Sequence, residues 1–148
     1  MTGPCKQAAD IIFVVDTSSS IWPVHFNKHV KTFLKDVIAS FNIGPGPLDT
    51  RVGILLFSTR EYLEFHLNTY EVLNDTLKAV DAIRFRGGDT YTNKALEYAA
   101  RTMLTSEHGA REGVAKLLVV LTDGRSANKK KTEDAAKALK ARGRYRDN

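Results

Sequence analysis

The stretch Ile11-Ile12-Phe13-Val14-Val15, followed at once by Asp16-Thr17-Ser18-Ser19-Ser20, decides the fold. Five consecutive apolar residues, four of them β-branched, leave no polar face for water. A strand covered on one side alternates; this one does not, so it reads as a strand buried on both faces, as in a parallel sheet. The run of one aspartate and four hydroxyl residues cannot continue it. A carboxylate therefore stands at the carboxyl end of a buried strand.

Working outward, Pro23 suits a first helical turn. Phe26, Val30, Phe33, Leu34, Val37, Ile38 and Phe41 then fit one face of a helix of period 3.6. Gly44-Pro45-Gly46-Pro47 ends that helix in a turn. Residues 52–57 form a second buried-strand run. Residues 62–67 alternate and read as a half-exposed edge strand, the hairpin partner of the run before it. Val72, Leu73, Leu77, Val80 and Ile83 predict a short helix, Gly87-Gly88 a tight loop, and residues 92–104 a further helix. Residues 105–113 form a polar loop. Residues 117–121 are a third apolar strand ending at Thr122-Asp123-Gly124, and a last helix is expected over about 132–141, stopped by Gly143. Strands alternating with amphipathic helices predict an α/β sheet with helices on both faces.

The bulk properties bound the function. The 148 residues make one domain, 43% apolar and 26% charged. No apolar run approaches the ~20 residues of a membrane helix, so no membrane insertion is expected. Residues 1–7 have no apolar core of a secretory signal; the chain either stays in the cell or is a piece of a longer secreted one. The net charge of +5 is uneven: 13 basic and 14 acidic residues lie in 1–124, against 9 and 3 from Arg125 onward. Without interleaved aromatics, the basic tail reads as a solvated helix face and not as a nucleic-acid surface. The single cysteine, Cys5, is either a free thiol or half of a disulfide whose partner lies outside this chain.

Asp16 and Asp123 each follow an apolar strand, and sites in open α/β sheets form beyond the carboxyl ends of strands. Ser18 and Ser20 follow Asp16 at alternate positions. Thr90 follows Gly87-Gly88-Asp89, where the glycines let a loop fold closely. Carboxylates and hydroxyls make a hard-oxygen set, suited to Mg²⁺, Mn²⁺ or Ca²⁺ rather than zinc or copper. A cation held mainly by neutral oxygens stays electrophilic toward an outside carboxylate, which is chemistry for binding and not for hydrolysis.

Asp16-Thr17-Ser18-Ser19-Ser20, Gly87-Gly88-Asp89-Thr90-Tyr91-Thr92 and Leu121-Thr122-Asp123-Gly124 together resemble the three signatures of von Willebrand factor A-type domains, in the family's order and spacing, over residues 9–143. The resemblance implies a Rossmann-like fold, mainly parallel with one antiparallel edge strand. It also implies a metal-ion-dependent adhesion site holding Mg²⁺, Mn²⁺ or Ca²⁺. Ser18 and Ser20 would bind the metal directly, Thr90 directly in the ligand-engaged state, and Asp16 and Asp123 largely through water. Thr92 would support the site and Gly124 let the last loop turn. The open position would take a Glu or Asp of a protein ligand, such as collagen or another matrix protein. The expected role is adhesion without catalysis, outside the cell. In extracellular members a cysteine before the first strand often pairs with one after the last helix, which bears on Cys5. Asn74-Asp75-Thr76 is a glycosylation sequon.

The resemblance also implies a domain cut short. Residues 1–8 would be an extension, 9–143 the incomplete domain and 144–148 a polar tail. Two strands and two helices would be missing, including the helix that shifts on ligand binding. The strand at 117–121 would then keep an open edge through which the chain could self-associate. Two other readings compete. An ungated fragment without binding activity would carry the same residues. An Mg²⁺-dependent hydrolase with an aspartate nucleophile would call for Asp-x-Asp, and Ser18 stands where its second acid belongs.

Overall fold

The computed structural model describes residues 8–19 and 21–121. Ser20, Asp123, Cys5, Gly124 and the helix expected near 132–141 lie outside the described residues. The strand β1 (Ala9–Asp16) is the axis of the fold. It pairs in parallel with β2 (Arg51–Phe57) on one side, Ile11 opposite Val52, and with β4 (Ala115–Leu121) on the other, Ile11 opposite Leu117. The strand β3 (Glu61–Phe65) runs antiparallel along the far edge of β2, giving the order β3-β2-β1-β4. This is the expected mainly parallel sheet with one antiparallel edge strand. Among the described residues β4 is the outermost strand on its side.

Every residue of β1 is buried, because both faces are covered. Ile12 and Val14 pack with Leu55 and Phe57 against Ala95 and Met103. These last two come from α4 (Thr92–Tyr98) and the π turn Ala99–Met103 that continues it. Ile11, Phe13 and Val15 face the other way, onto Phe26, Leu34 and Val80. Phe26 opens a π turn (Phe26–Val30) between α1 (Pro23–His25) and α2 (Lys31–Ala39), and Val80 belongs to α3 (Leu73–Asp81). Full burial of each large side chain contributes about 1.5–3 kcal/mol, so a strand with no polar face is the most stabilising element that the sheet can hold at its centre.

Several boundaries differ from the sequence reading. The helix over 92–104 widens after Tyr98, and Leu104 N–H bonds back five residues to Ala99 O at 2.9 Å. The polar stretch before β4 holds a short 3₁₀ turn, Ser106–His108. Phe33, on the helical face assigned to the core, is 50% exposed. The edge strand stops at Phe65, where His66 N–H bonds to Thr69 Oγ1 at 3.0 Å and turns the chain. The strand β4 begins at Ala115 and includes Lys116, a buried cation, because Asp10 on β1 lies 3.3 Å from its ammonium.

Asp10 is the centre of a clasp at the amino ends of the parallel strands. Its carboxylate is fully buried and accepts from Arg111 three times: Nε at 3.0 Å, a terminal guanidinium nitrogen at 2.8 Å and the main-chain N–H at 2.8 Å. The same guanidinium reaches Ala9 O at 3.2 Å and Asp49 O at 2.9 Å. One side chain thereby ties the start of β1 to the approaches of β2 and β4.

At the same end, the His66 and His108 rings stack face to face, with centroids 3.8 Å apart and planes within 8°. Burial, and then the neighbouring His108, lower the pKa of His66 from its ordinary 6.5. A base whose folded pKa is depressed binds its proton less readily than in the unfolded chain. Its contribution to stability is complete above about pH 6.5 and falls as pH drops through the folded value. Thermal midpoints measured from pH 8 to 5 should fall across this window, and His66→Phe should flatten the decline.

Candidate metal-binding rim

The carboxyl ends of β1 and β2 and the loop before α4 meet at the opposite end of the sheet. Asp16, the last residue of β1, is fully buried, and one of its oxygens accepts from Ser18 N–H at 2.8 Å. That bond curls the chain so that Ser18 follows the carboxylate into the interior, leaving it 1% exposed.

The curl is laced to the glycine loop by four bonds. Gly87 N–H donates to Thr17 O at 2.7 Å and Ser19 N–H to Gly88 O at 2.8 Å. Arg86 N–H donates to Thr17 Oγ1 at 2.7 Å and Gly88 N–H to Ser19 Oγ at 2.8 Å. The hydroxyls of Thr17 and Ser19, which alternate with Asp16 and Ser18, thus hold the neighbouring loop. The turn after β2 joins them: Thr17 N–H bonds Phe57 O at 2.9 Å, Asp89 N–H bonds Thr59 Oγ1 at 3.0 Å, and Tyr91 N–H bonds Ser58 O at 3.0 Å. Thr90 lies between those last two anchors, half-buried. Its hydroxyl is carried on a peptide fixed on both sides.

Gly88 is what lets the loops come this close. Its φ is +109°, and a Cβ there would stand 2.5 Å from Thr59 Oγ1. Both the backbone and the packing demand glycine.

The structure therefore brings Asp16, Ser18 and the Thr90 loop to one rim; Ser20 and Asp123 lie outside the described residues. No group of three or more His, Cys, Asp or Glu gathers among the described residues. A metal at this rim would rest on hydroxyls and few carboxylates, and such a donor set fits a hard divalent cation that keeps part of its water. The roles of Thr17, Ser19 and Thr59 in lacing are not visible from spacing, because their partners are up to 69 residues away.

A model of the von Willebrand factor type A domain matches residues 10–146. The chain belongs to the von Willebrand factor type A domain family. Within that family it is 39% identical to integrin alpha-1 of Gallus gallus over 123 residues, covering 82% of this chain and 41% of that protein. It is also 39% identical to the collagen alpha-1(XX) chain of Mus musculus over 132 residues, covering 89% of this chain and 10% of that one. The domain thus spans less than half the length of these relatives. Among solved structures, proximal thread matrix protein 1 from the mussel byssus, with a zinc-occupied MIDAS motif, superimposes with a TM-score of 0.89 at 28% identity. That match covers 96% of this chain and 37% of the mussel protein. Zinc in that motif means that the preference of an oxygen set for harder cations is not absolute.

Proposed function

We propose that this von Willebrand factor A domain is a metal-dependent adhesion module. Asp16, Ser18, Ser20, Thr90 and Asp123 would hold one divalent cation, Mg²⁺ foremost, with Mn²⁺ or Ca²⁺ able to replace it. When bound, the cation supplies an open position for a Glu or Asp carboxylate of a protein ligand.

The observation that carries this reading is the lacing of the 16–19 curl to the glycine loop, which holds two loops of hydroxyl donors together before any metal arrives. Asp16 fixes the curl through the Ser18 N–H and supplies negative charge. Ser18 offers a hydroxyl next to that carboxylate. The Thr90 peptide, anchored through its neighbours, sets where the third described donor stands. Hydroxyl donors beside the one carboxylate that the described part of the rim supplies suit a cation that captures an outside carboxylate.

The relatives are integrin and collagen chains and a byssal matrix protein, which supports an extracellular setting and a matrix protein, such as a collagen, as the ligand. Isothermal titration of Mg²⁺ or Mn²⁺ into the purified chain is the test. One binding event is expected, reversed by a chelator, with about 2.7 kcal/mol of added stability when free metal is a hundred times Kd. A chain that takes up neither metal, with an unchanged thermal midpoint at millimolar concentrations, would overturn the proposal.

A further inference from the structure

Beside the rim, a cleft of about 360 Å³ opens between the first helix and the end of β4. Asp16, Ile21, Phe33 and Leu121 line it, and so do two histidines, His25 and His29. They sit four residues apart on one continuous helical body, and both are exposed. His25 ends α1; His29 lies in the π turn, where Lys31 N–H bonds back to Phe26 O. Such single π turns inside α-helices often mark functional positions.

The two rings are 4.8 Å apart at their centres and tilted by 40°. With a metal–nitrogen bond of about 2.0 Å, two imidazoles on one ion at angles between square and tetrahedral have centres roughly 4.5–5.2 Å apart. The pair is already within that range. The other histidine pair makes the contrast: His66 and His108 stack at 3.8 Å and 8°, and parallel stacked rings direct their nitrogens away from a common ion. Imidazole is a ligand for zinc, copper and nickel rather than for magnesium or calcium. Two histidines spaced i, i+4 on a helical face are also the metal-holding part of the zinc-protease helix. Here the sequence is His25-Phe26-Asn27-Lys28-His29, without the glutamate that would serve as a general base.

We propose that His25 and His29 form a second metal site, selective for borderline transition-metal ions and chemically separate from the oxygen rim. Two protein ligands leave the ion's remaining positions to water or to a donor from a partner seated in the cleft. The domain would then present two metal-bridged contacts on adjacent surfaces, one reading carboxylates and the other accepting nitrogen or sulfur donors as well. The inference rests on the helix geometry and does not depend on the adhesion reading.

Trp22, the single tryptophan, is 76% exposed and three residues before His25, so its emission reports on the site. The experiment titrates Cu²⁺ into the full chain carrying Cys5→Ser, with Mg²⁺ held at a saturating 5 mM or so to occupy hard-oxygen sites. Saturable quenching of Trp22 with one equivalent is expected, weakened at least about tenfold by either His25→Gln or His29→Gln and unchanged by His66→Gln. Both substituted side chains are exposed, and circular dichroism checks that the fold survives. Zn²⁺ should compete for the same equivalent. Quenching that stays at the parent's strength in both the His25→Gln and the His29→Gln chains, or that Mg²⁺ abolishes, would overturn the proposal. A chain that loses Mg²⁺ binding through Asp16→Asn yet keeps the Cu²⁺ equivalent would separate this site from the rim.

Discussion

Asp10→Ala is expected to destabilise the domain by about 3–5 kcal/mol, the range found when one partner of a buried ion pair is removed. The carboxylate is fully buried, while the Arg111 and Lys116 side chains that face it are 16% and 2% exposed. Alanine would leave two cations in a low-dielectric interior with main-chain carbonyls but no counter-charge. For a chain of this size the thermal midpoint should fall by about 10 °C or more. Asp10 is the counter-charge that both cations share. Lys116 also donates to Arg111 O and Val114 O, and Asp10 keeps Arg111 when the lysine is gone. Lys116→Met should therefore be milder, because it removes a charge and leaves the remaining pair balanced. Equal losses in the two variants, by calorimetry at pH 7, would refute this account of the clasp.

Asp16 calls for a different substitution, because it does two jobs. Its carboxylate accepts the Ser18 N–H, and it is proposed to supply charge to the metal. Asp16→Asn keeps an oxygen that can accept the bond and removes the charge. It should retain the thermal midpoint of the parent within about a degree or two while weakening Mn²⁺ binding about 10–100-fold, the usual scale for supporting groups of a metal site. Asp16→Ala removes both and should in addition lose about 1 kcal/mol for the missing hydrogen bond. Titration and melting of the two variants side by side separate structure from function. Wild-type Mn²⁺ affinity in Asp16→Asn would remove this residue from the ligand set.

The parts of this domain that are legible in its sequence are those whose physics is local. The unbroken run at 11–15 declares a strand covered on both faces, and the structure buries all of it. The close spacing of Asp16 and Ser18 expresses one turn of chain. The clasp was not legible: Arg111 sits in a stretch that reads as a polar loop, and its partner is 101 residues away. Lys116 misplaces the start of β4 for the same reason, since a lysine reads as solvent-facing until its counter-ion is known. Phe33 fits the helical period yet lines the cleft, because periodicity gives a face and not what stands opposite it. Neither π turn, Phe26–Val30 or Ala99–Met103, has a residue signature. Spacing alone places His25 and His29 on one helical face; only the ring geometry turns that placement into a candidate ligand pair.

The central position of β1 has a consequence for how the domain is made. Among the described strands it is made before the others, yet its partner β4 joins it only after about a hundred further residues, with Ala9 opposite Ala115. Pairings of such long sequence separation form slowly, because the loop between them must be closed before any contact compensates. Until then a strand that the finished fold buries along its whole length has one unsatisfied edge, open to any other nascent strand. Arg111 precedes β4 and meets Asp10 at the mouth of that gap, where it can set the register for the strand that follows. Substitutions at the clasp should therefore reduce the yield of soluble protein from a translating ribosome by more than the stability of the finished fold would suggest.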